Sequence, residues 1–131
     1  MSVGTQEVFK AGTALAGGVA RRGETCGALT GAILAVGCVT GREKLEDLPQ
    51  YRKCMEEANR VWDRFVEKIG YSLCSEIHLR RYGRVYHLHV PEEAKTFHDM
   101  GGHSRKGCPE VCGIAARLAA EIIFDIREKS R

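Results

Sequence analysis

Apolar side chains return every three or four positions between Tyr51 and Ile69, through Cys54, Met55, Ala58, Val61, Trp62 and Phe65. That is the period of an amphipathic helix, so residues 50–69 are predicted to form one, stopped at Gly70. Such a stripe marks a core face, and Cys54 belongs to it. A second stripe, Val111, Ala115, Leu118, Ile122 and Ile126, predicts a last helix over residues 109–128, with Pro109 suited to its first position. Residues 6–16, rich in Ala and ending at Gly17 and Gly18, predict a short first helix, since glycine commonly follows a helix end.

Between residues 25 and 41 the chain is uncharged. Thr25 is the predicted N-cap of a helix that begins at Cys26 and stops at Gly41. Gly27, Gly31 and Ala35 fall on one face of it. Each helical glycine costs about 1 kcal/mol relative to alanine. A helix that tolerates this is expected to lie at the centre of the core, with a neighbouring backbone brought close. Residues 42–49 read as a charged connector, and residues 72–79 as a brief helix carrying Cys74. Residues 80–107 lack periodicity and hold Pro91 and a glycine pair, so they read as a long irregular loop, with residues 85–90 as a short extended piece. Loops of that length are commonly functional. The expected fold is all-α: a single domain over residues 1–131, a small bundle of four to five helices with a His-rich loop.

Composition narrows the function. A chain of 131 residues suits one domain with a real core. The net charge of +3 is modest, Arg21–Arg22 and Arg80, Arg81 and Arg84 are short clusters, and aromatics make up only 7%. Neither a basic stripe nor a stacking platform is present, so nucleic acid is not an expected partner. No secretion signal opens the chain. The uncharged stretch of residues 25–41 is short for a span and rich in glycine and threonine, so membrane insertion is not expected. These features point to the cytoplasm. In that reducing compartment the six cysteines suit metal binding, catalysis or redox cycling better than a static disulfide framework.

Cys26 follows Arg21, Arg22 and a glycine turn, and it opens a helix. A thiol at that position faces the positive end of the helix dipole, which favours the thiolate, both a nucleophile and a metal ligand. An inert packing thiol fits the same position. Cys74 and Cys108 also stand at predicted helix starts. Three such thiols converging on one pocket would suit disulfide exchange or an iron–sulfur cluster. Cys38 and Cys54 read as buried packing residues. All five histidines (His78, His87, His89, His98 and His103) lie between Cys74 and Cys108. His98, His103, Cys108 and Cys112 offer nitrogen and sulfur donors to zinc, although no paired C-x2-C accompanies them. No phosphate loop, dinucleotide fingerprint or nucleophile elbow occurs, and without Cys-x-x-Cys-His no covalent c-type haem is expected.

The stretch Gly17-Gly18-Val19, then Gly23-Glu24-Thr25-Cys26-Gly27-Ala28-Leu29-Thr30-Gly31, resembles the C-GCAxxG-C-C family of redox-active proteins. The resemblance continues through Phe65-Val66-Glu67-Lys68-Ile69-Gly70, Cys74, Cys108 and Ala115-Ala116. It covers most of the chain except the histidine-rich segment. The family is similar to a domain of split-Soret cytochromes, which implies an all-α fold and iron–sulfur chemistry. On this resemblance the family cysteines are Cys26, Cys74 and Cys108. The family carries a further cysteine before the glycine pair, where this chain has none. A four-ligand cluster would then draw its fourth donor from Cys112, a histidine such as His103, or a second subunit, and a homodimer is compatible with that.

Three functions stay open at this stage. The first is a redox protein in which Cys26 attacks and Cys74 or Cys108 resolves, or in which these three bind iron, working with a redox partner that the sequence does not name. The second is a zinc or other metal-binding or sensing module built on residues 98–112, without electron transfer. The third is a structural or partner-binding helical domain with inert thiols.

Overall fold

The computed structural model describes residues 2–131 as α1 (Gln6–Gly12), α2 (Gly27–Thr40), α3 (Leu48–Ile69), α4 (Cys74–Tyr82), α5 (Pro91–Asp99) and α6 (Cys108–Lys129). The fold is an all-α bundle, without strands among the described residues. Its core is the packing of α2 against both α3 and α6. α3 gives Val61 and Phe65 to it, and α6 gives the predicted stripe together with Ala119 and Ile123. α2 buries Leu29, Ala32, Val36 and Thr40, whose hydroxyl donates to the Val36 carbonyl at 3.0 Å. Each fully buried aliphatic or Phe side chain contributes about 1.5–3 kcal/mol. Across the surface, Arg60 pairs with Asp125 at 2.6 Å and Arg64 with Glu121, linking α3 to α6. Exposed pairs of this kind are worth under about 1 kcal/mol each, so apolar burial holds the three helices together.

Several boundaries differ from expectation for local reasons. α3 begins at Leu48 because Asp47 caps it, accepting from the Gln50 amide at 3.0 Å, and Pro49 is at home in a first helical turn. α1 ends at Gly12 and tightens into a 3-10 turn, Thr13–Leu15. Thr25 does not cap α2. It bridges to Leu73, and Cys26 takes the N-cap position without a side-chain capping bond. The segment expected to be irregular from residue 80 contains the end of α4 and all of α5. Pro91, read as loop punctuation, stands in the first turn of α5, followed by Glu92 and Glu93 at the positive helix end. α5 buries only Phe97, so it carries no apolar period. Residues 85–90 form turn and irregular backbone, not a strand. Cys38 is exposed and Cys54 half-buried, so the packing role expected of Cys38 does not hold.

The small-residue face of α2 behaves as expected only at its start. A Cβ on Gly27 would come within 2.9 Å of the Leu15 carbonyl oxygen, so this glycine admits a neighbouring backbone. At Gly31 a Cβ would meet nothing within 4 Å, because this part of the face borders open space.

The turn before α2 is left-handed over five consecutive residues. Gly17, Gly18, Val19, Ala20 and Arg21 have φ of 65°, 76°, 59°, 52° and 61°. Their amides are nonetheless bonded. Val19 donates to Leu15, Ala20 to Ala14 and Arg21 to Ala16, at 3.0, 2.8 and 3.0 Å. Gly18 has no room for a side chain, since a Cβ there would lie 2.7 Å from the Cβ of Cys74. Each non-glycine residue in this conformation costs about 1–2 kcal/mol, and a β-branched one is the least suited. Val19→Gly, partly offset by the extra freedom of the unfolded chain, is expected to raise stability by about 1 kcal/mol in urea unfolding.

Candidate functional site

Two short segments meet ahead of α2 and α4. The Cys26 amide donates to the Ser72 carbonyl at 2.8 Å, the Cys74 amide to the Glu24 carbonyl at 2.7 Å, and the Ser75 amide to the Gly23 carbonyl at 3.1 Å. These bonds flank the antiparallel Thr25–Leu73 bridge. Side chains alternate along extended backbone, so Cys26 and Cys74 leave the same side of the pair as diagonal neighbours, roughly 7–8 Å apart. A disulfide needs Cα atoms about 4.4–6.8 Å apart, so bonding the two requires a small approach of these segments.

Three helix starts carry the three family-type thiols: Cys26 caps α2, Cys74 is the first residue of α4, and Cys108 is the first of α6. All three line one cavity of about 810 Å³, together with Cys112, one turn into α6. Cys38 reaches the same cavity about 18 Å further along α2, at 1.5 Å per residue, and so stands apart from the group. All six cysteines are free thiols.

The thiols are not equivalent. Burial, reinforced by the charges of Cys26 and Cys108, pushes the Cys74 thiol up to about 12. Burial also raises Cys108 and Cys112. At Cys108 the Tyr82 hydroxyl, 3.7 Å from Sγ, and the Arg81 charge act in the opposite direction. Cys26 is half-buried and opens onto the cavity.

His78 and Tyr82 follow Cys74 at four-residue steps, so one face of α4 presents all three. His78 Nε2 lies 3.7 Å from the Cys74 sulfur. The imidazole is 1% exposed and stacks on Phe97 with ring centroids 4.7 Å apart. Burial lowers its pKa, so the ring is held neutral, and its Nδ1 has no hydrogen-bond partner. The Tyr82 ring meets it edge-on at 5.4 Å. A row of thiol, imidazole, phenol and thiol therefore runs from Cys74 to Cys108. Arg81 fixes its far end, donating to the Lys106 carbonyl at 3.0 Å and pairing with Glu110 at the start of α6.

Sequence reasoning picked out neither His78 nor Tyr82. The spacing from Cys74 was visible, but the burial that distinguishes His78 from the other histidines was not. His98 and His103 do meet, Nδ1 to Nδ1 at 3.0 Å, and His103 also borders the cavity. His87 and His89 face each other at 6.0 Å, so the five histidines do not form one cluster. Among the described residues no three His, Cys, Asp or Glu side chains are grouped to hold a metal ion. The predicted ligands Cys26, Cys74, Cys108, Cys112 and His103 thus share a cavity without forming a coordination set.

The family model described as "Putative redox-active protein (C_GCAxxG_C_C)" matches residues 1–122. The chain belongs to the C-GCAxxG-C-C family. For this C-GCAxxG-C-C protein the match includes the histidine-rich segment that the sequence resemblance left out, and the family description names no cofactor. No curated protein and no solved structure matches the chain. Among the described residues no helix is long and apolar enough to cross a membrane.

The raised Cys74 pKa has a consequence for stability. A folded-state value above the unfolded one, here about 12 against 9.0, gives stabilisation that is complete below pH 9 and lost as pH rises through 12. Tyr82, also pushed up to about 12, chiefly by burial, adds in the same direction. Thermal unfolding is expected to show a falling midpoint from pH 9 upward. The fall should be shallower in Cys74→Ala.

Proposed function

We propose that this C-GCAxxG-C-C protein carries out thiol–disulfide exchange, with Cys26 as the attacking thiol and Cys74 or Cys108 as the resolving one. The observation that carries the reading is the convergence of Cys26, Cys74 and Cys108 on one cavity, each at a helix start and each free. Negative charge developing on the Cys26 sulfur meets the positive end of α2. Its thiolate attacks one sulfur of a substrate disulfide, forms a mixed disulfide and releases the first substrate thiolate. A second protein thiol then attacks the Cys26 sulfur. The protein disulfide closes, the second substrate thiolate leaves, and two electrons have passed from protein to substrate.

Cys74 cannot resolve while protonated, and burial keeps it so at neutral pH. His78 Nε2 lies 3.7 Å from the Cys74 sulfur, but burial holds that imidazole neutral, so the departing substrate thiolate is the acceptor of the Cys74 proton. The phenol of Tyr82 contacts Cys108 in the same way that the imidazole contacts Cys74.

The competing metal reading draws support from the His98–His103 contact, since His103 lines the cavity together with Cys108 and Cys112. Anaerobic purification followed by metal, sulfide and thiol analysis separates the two. Exchange chemistry predicts a metal-free chain whose thiol count falls by two, from six, on mild oxidation. Stoichiometric iron with sulfide, or zinc that protects Cys108 and Cys112 from alkylation, would instead make these residues ligands.

A further inference from the structure

The cavity above the thiols has almost wholly apolar walls. Its volume, about 810 Å³, is in the range of small-molecule sites. Its walls come from Val8 and Phe9 of α1, Leu34 of α2, Phe97 of α5 and Val111 of α6. Among the described residues that line it there is no Asp, Glu, Lys or Arg. A charged ligand entering such a cavity would lose its hydration and find no counter-charge, which is strongly unfavourable.

Three further observations indicate that the space is kept open. Gly31 faces it with no atom within 4 Å of where a Cβ would lie, so no packing partner explains the missing side chain. Phe9 borders it yet is 80% exposed, and α1 contributes no buried residue, so this wall is not sealed against the bundle. His78 also borders it, fully buried, with Nδ1 unpartnered.

We propose that the cavity binds an uncharged, largely apolar small molecule. Resting on the exchange reading above, this makes the substrate of Cys26 an uncharged apolar disulfide of low molecular weight, not a charged one. The step is the exchange already described, with both electrons accepted by that disulfide. Selectivity here runs against the long-range charge of the protein. The net charge is +3, and Arg21 and Arg22 precede Cys26, so simple attraction would favour an anionic disulfide.

Two probes test this on the full chain. Nile red, an uncharged apolar dye, reports binding without any redox step. The disulfides 2,2′-dithiodipyridine, uncharged, and 5,5′-dithiobis(2-nitrobenzoate), a dianion, report the class accepted by Cys26 through the part of each rate that Cys26→Ser removes, normalised to the urea-unfolded chain. Saturable dye binding is expected, weakened about tenfold by Gly31→Leu, which fills open space. The uncharged disulfide is expected to be preferred about tenfold or more, and Leu34→Lys should shift that preference toward the dianion. Circular dichroism confirms that both variants fold.

Absence of saturable dye binding, or binding unaffected by both variants, would overturn the cavity assignment. Dye binding that responds to the variants, with no discrimination between the disulfides, would overturn the substrate class while leaving exchange at Cys26 intact. A chain that binds the dye but reacts with neither disulfide would retain the site and remove the exchange reading beneath it.

Discussion

Replacing Cys26 by serine is expected to lower thiol–disulfide exchange by roughly a hundredfold or more while leaving the bundle folded. The size of the loss follows from what remains. Cys74 is 7% exposed and is pushed up to about 12, so it contributes almost no thiolate at neutral pH. Burial also raises Cys108 and Cys112. Each of the three is therefore a weakened attacking group, because the thiolate and not the thiol is the nucleophile. The resolving variants behave differently. Cys74→Ser or Cys108→Ser, whichever removes the resolving thiol, should still react once and then accumulate the mixed disulfide at Cys26. Cys38→Ser, about 18 Å along α2 from the group, and Cys54→Ser on α3 should match the parent chain. Single-turnover kinetics with a chromogenic disulfide, read beside circular dichroism of each variant, check the series.

The largest effect on stability is expected at Phe97. It is the sole buried residue of α5, fully enclosed, with its ring stacked on His78 and edge-on to Tyr82 at 5.3 Å. Its other side rests against Gly102, where a Cβ would come within 2.2 Å of the ring. Phe97→Ala removes the one apolar anchor of α5 and leaves a hole beside a buried imidazole. Losses of this kind cost about 3–5 kcal/mol, which for a chain of this size lowers the midpoint of thermal unfolding by about 10–20 °C. Because the same ring packs on His78, the variant should also speed alkylation of Cys74, which a purely distant core change such as Val61→Ala would not do. Differential scanning calorimetry and timed alkylation of the two variants separate the effects.

What the sequence revealed of this fold follows the strength of each periodic signal. The 22-residue helices α3 and α6 announce themselves because a long apolar stripe has only one way to be buried. α5 does not, since a nine-residue helix with one buried side chain leaves no repeat to read, and its Pro91 looks the same in a loop as in a first helical turn. The glycine face of α2 misled in a different way. Glycine marks a place where bulk is unwanted, and the pattern does not say whether a backbone or an empty cavity takes the space. Gly27 and Gly31, one turn apart, show one case each.

At the site, the cysteines were legible because a helix start is a local feature. Their convergence was not, since it depends on the Thr25–Leu73 bridge, which joins segments 48 residues apart in sequence through only a few backbone bonds. His78 illustrates the same limit. Its spacing from Cys74 is plain, yet only the packing of Phe97, Tyr82 and Tyr86 around it turns one histidine among five into a buried neutral imidazole.

The most direct measurement is disulfide mapping of the chain equilibrated in thiol redox buffers without oxygen, with free thiols alkylated before peptide mass analysis. Exchange at a built site predicts one reversible bond joining Cys26 to Cys74 or Cys108, with Cys38 and Cys54 alkylated at every potential. A chain whose Cys26 stays alkylatable throughout, or whose disulfides form indiscriminately among all six thiols, would contradict it.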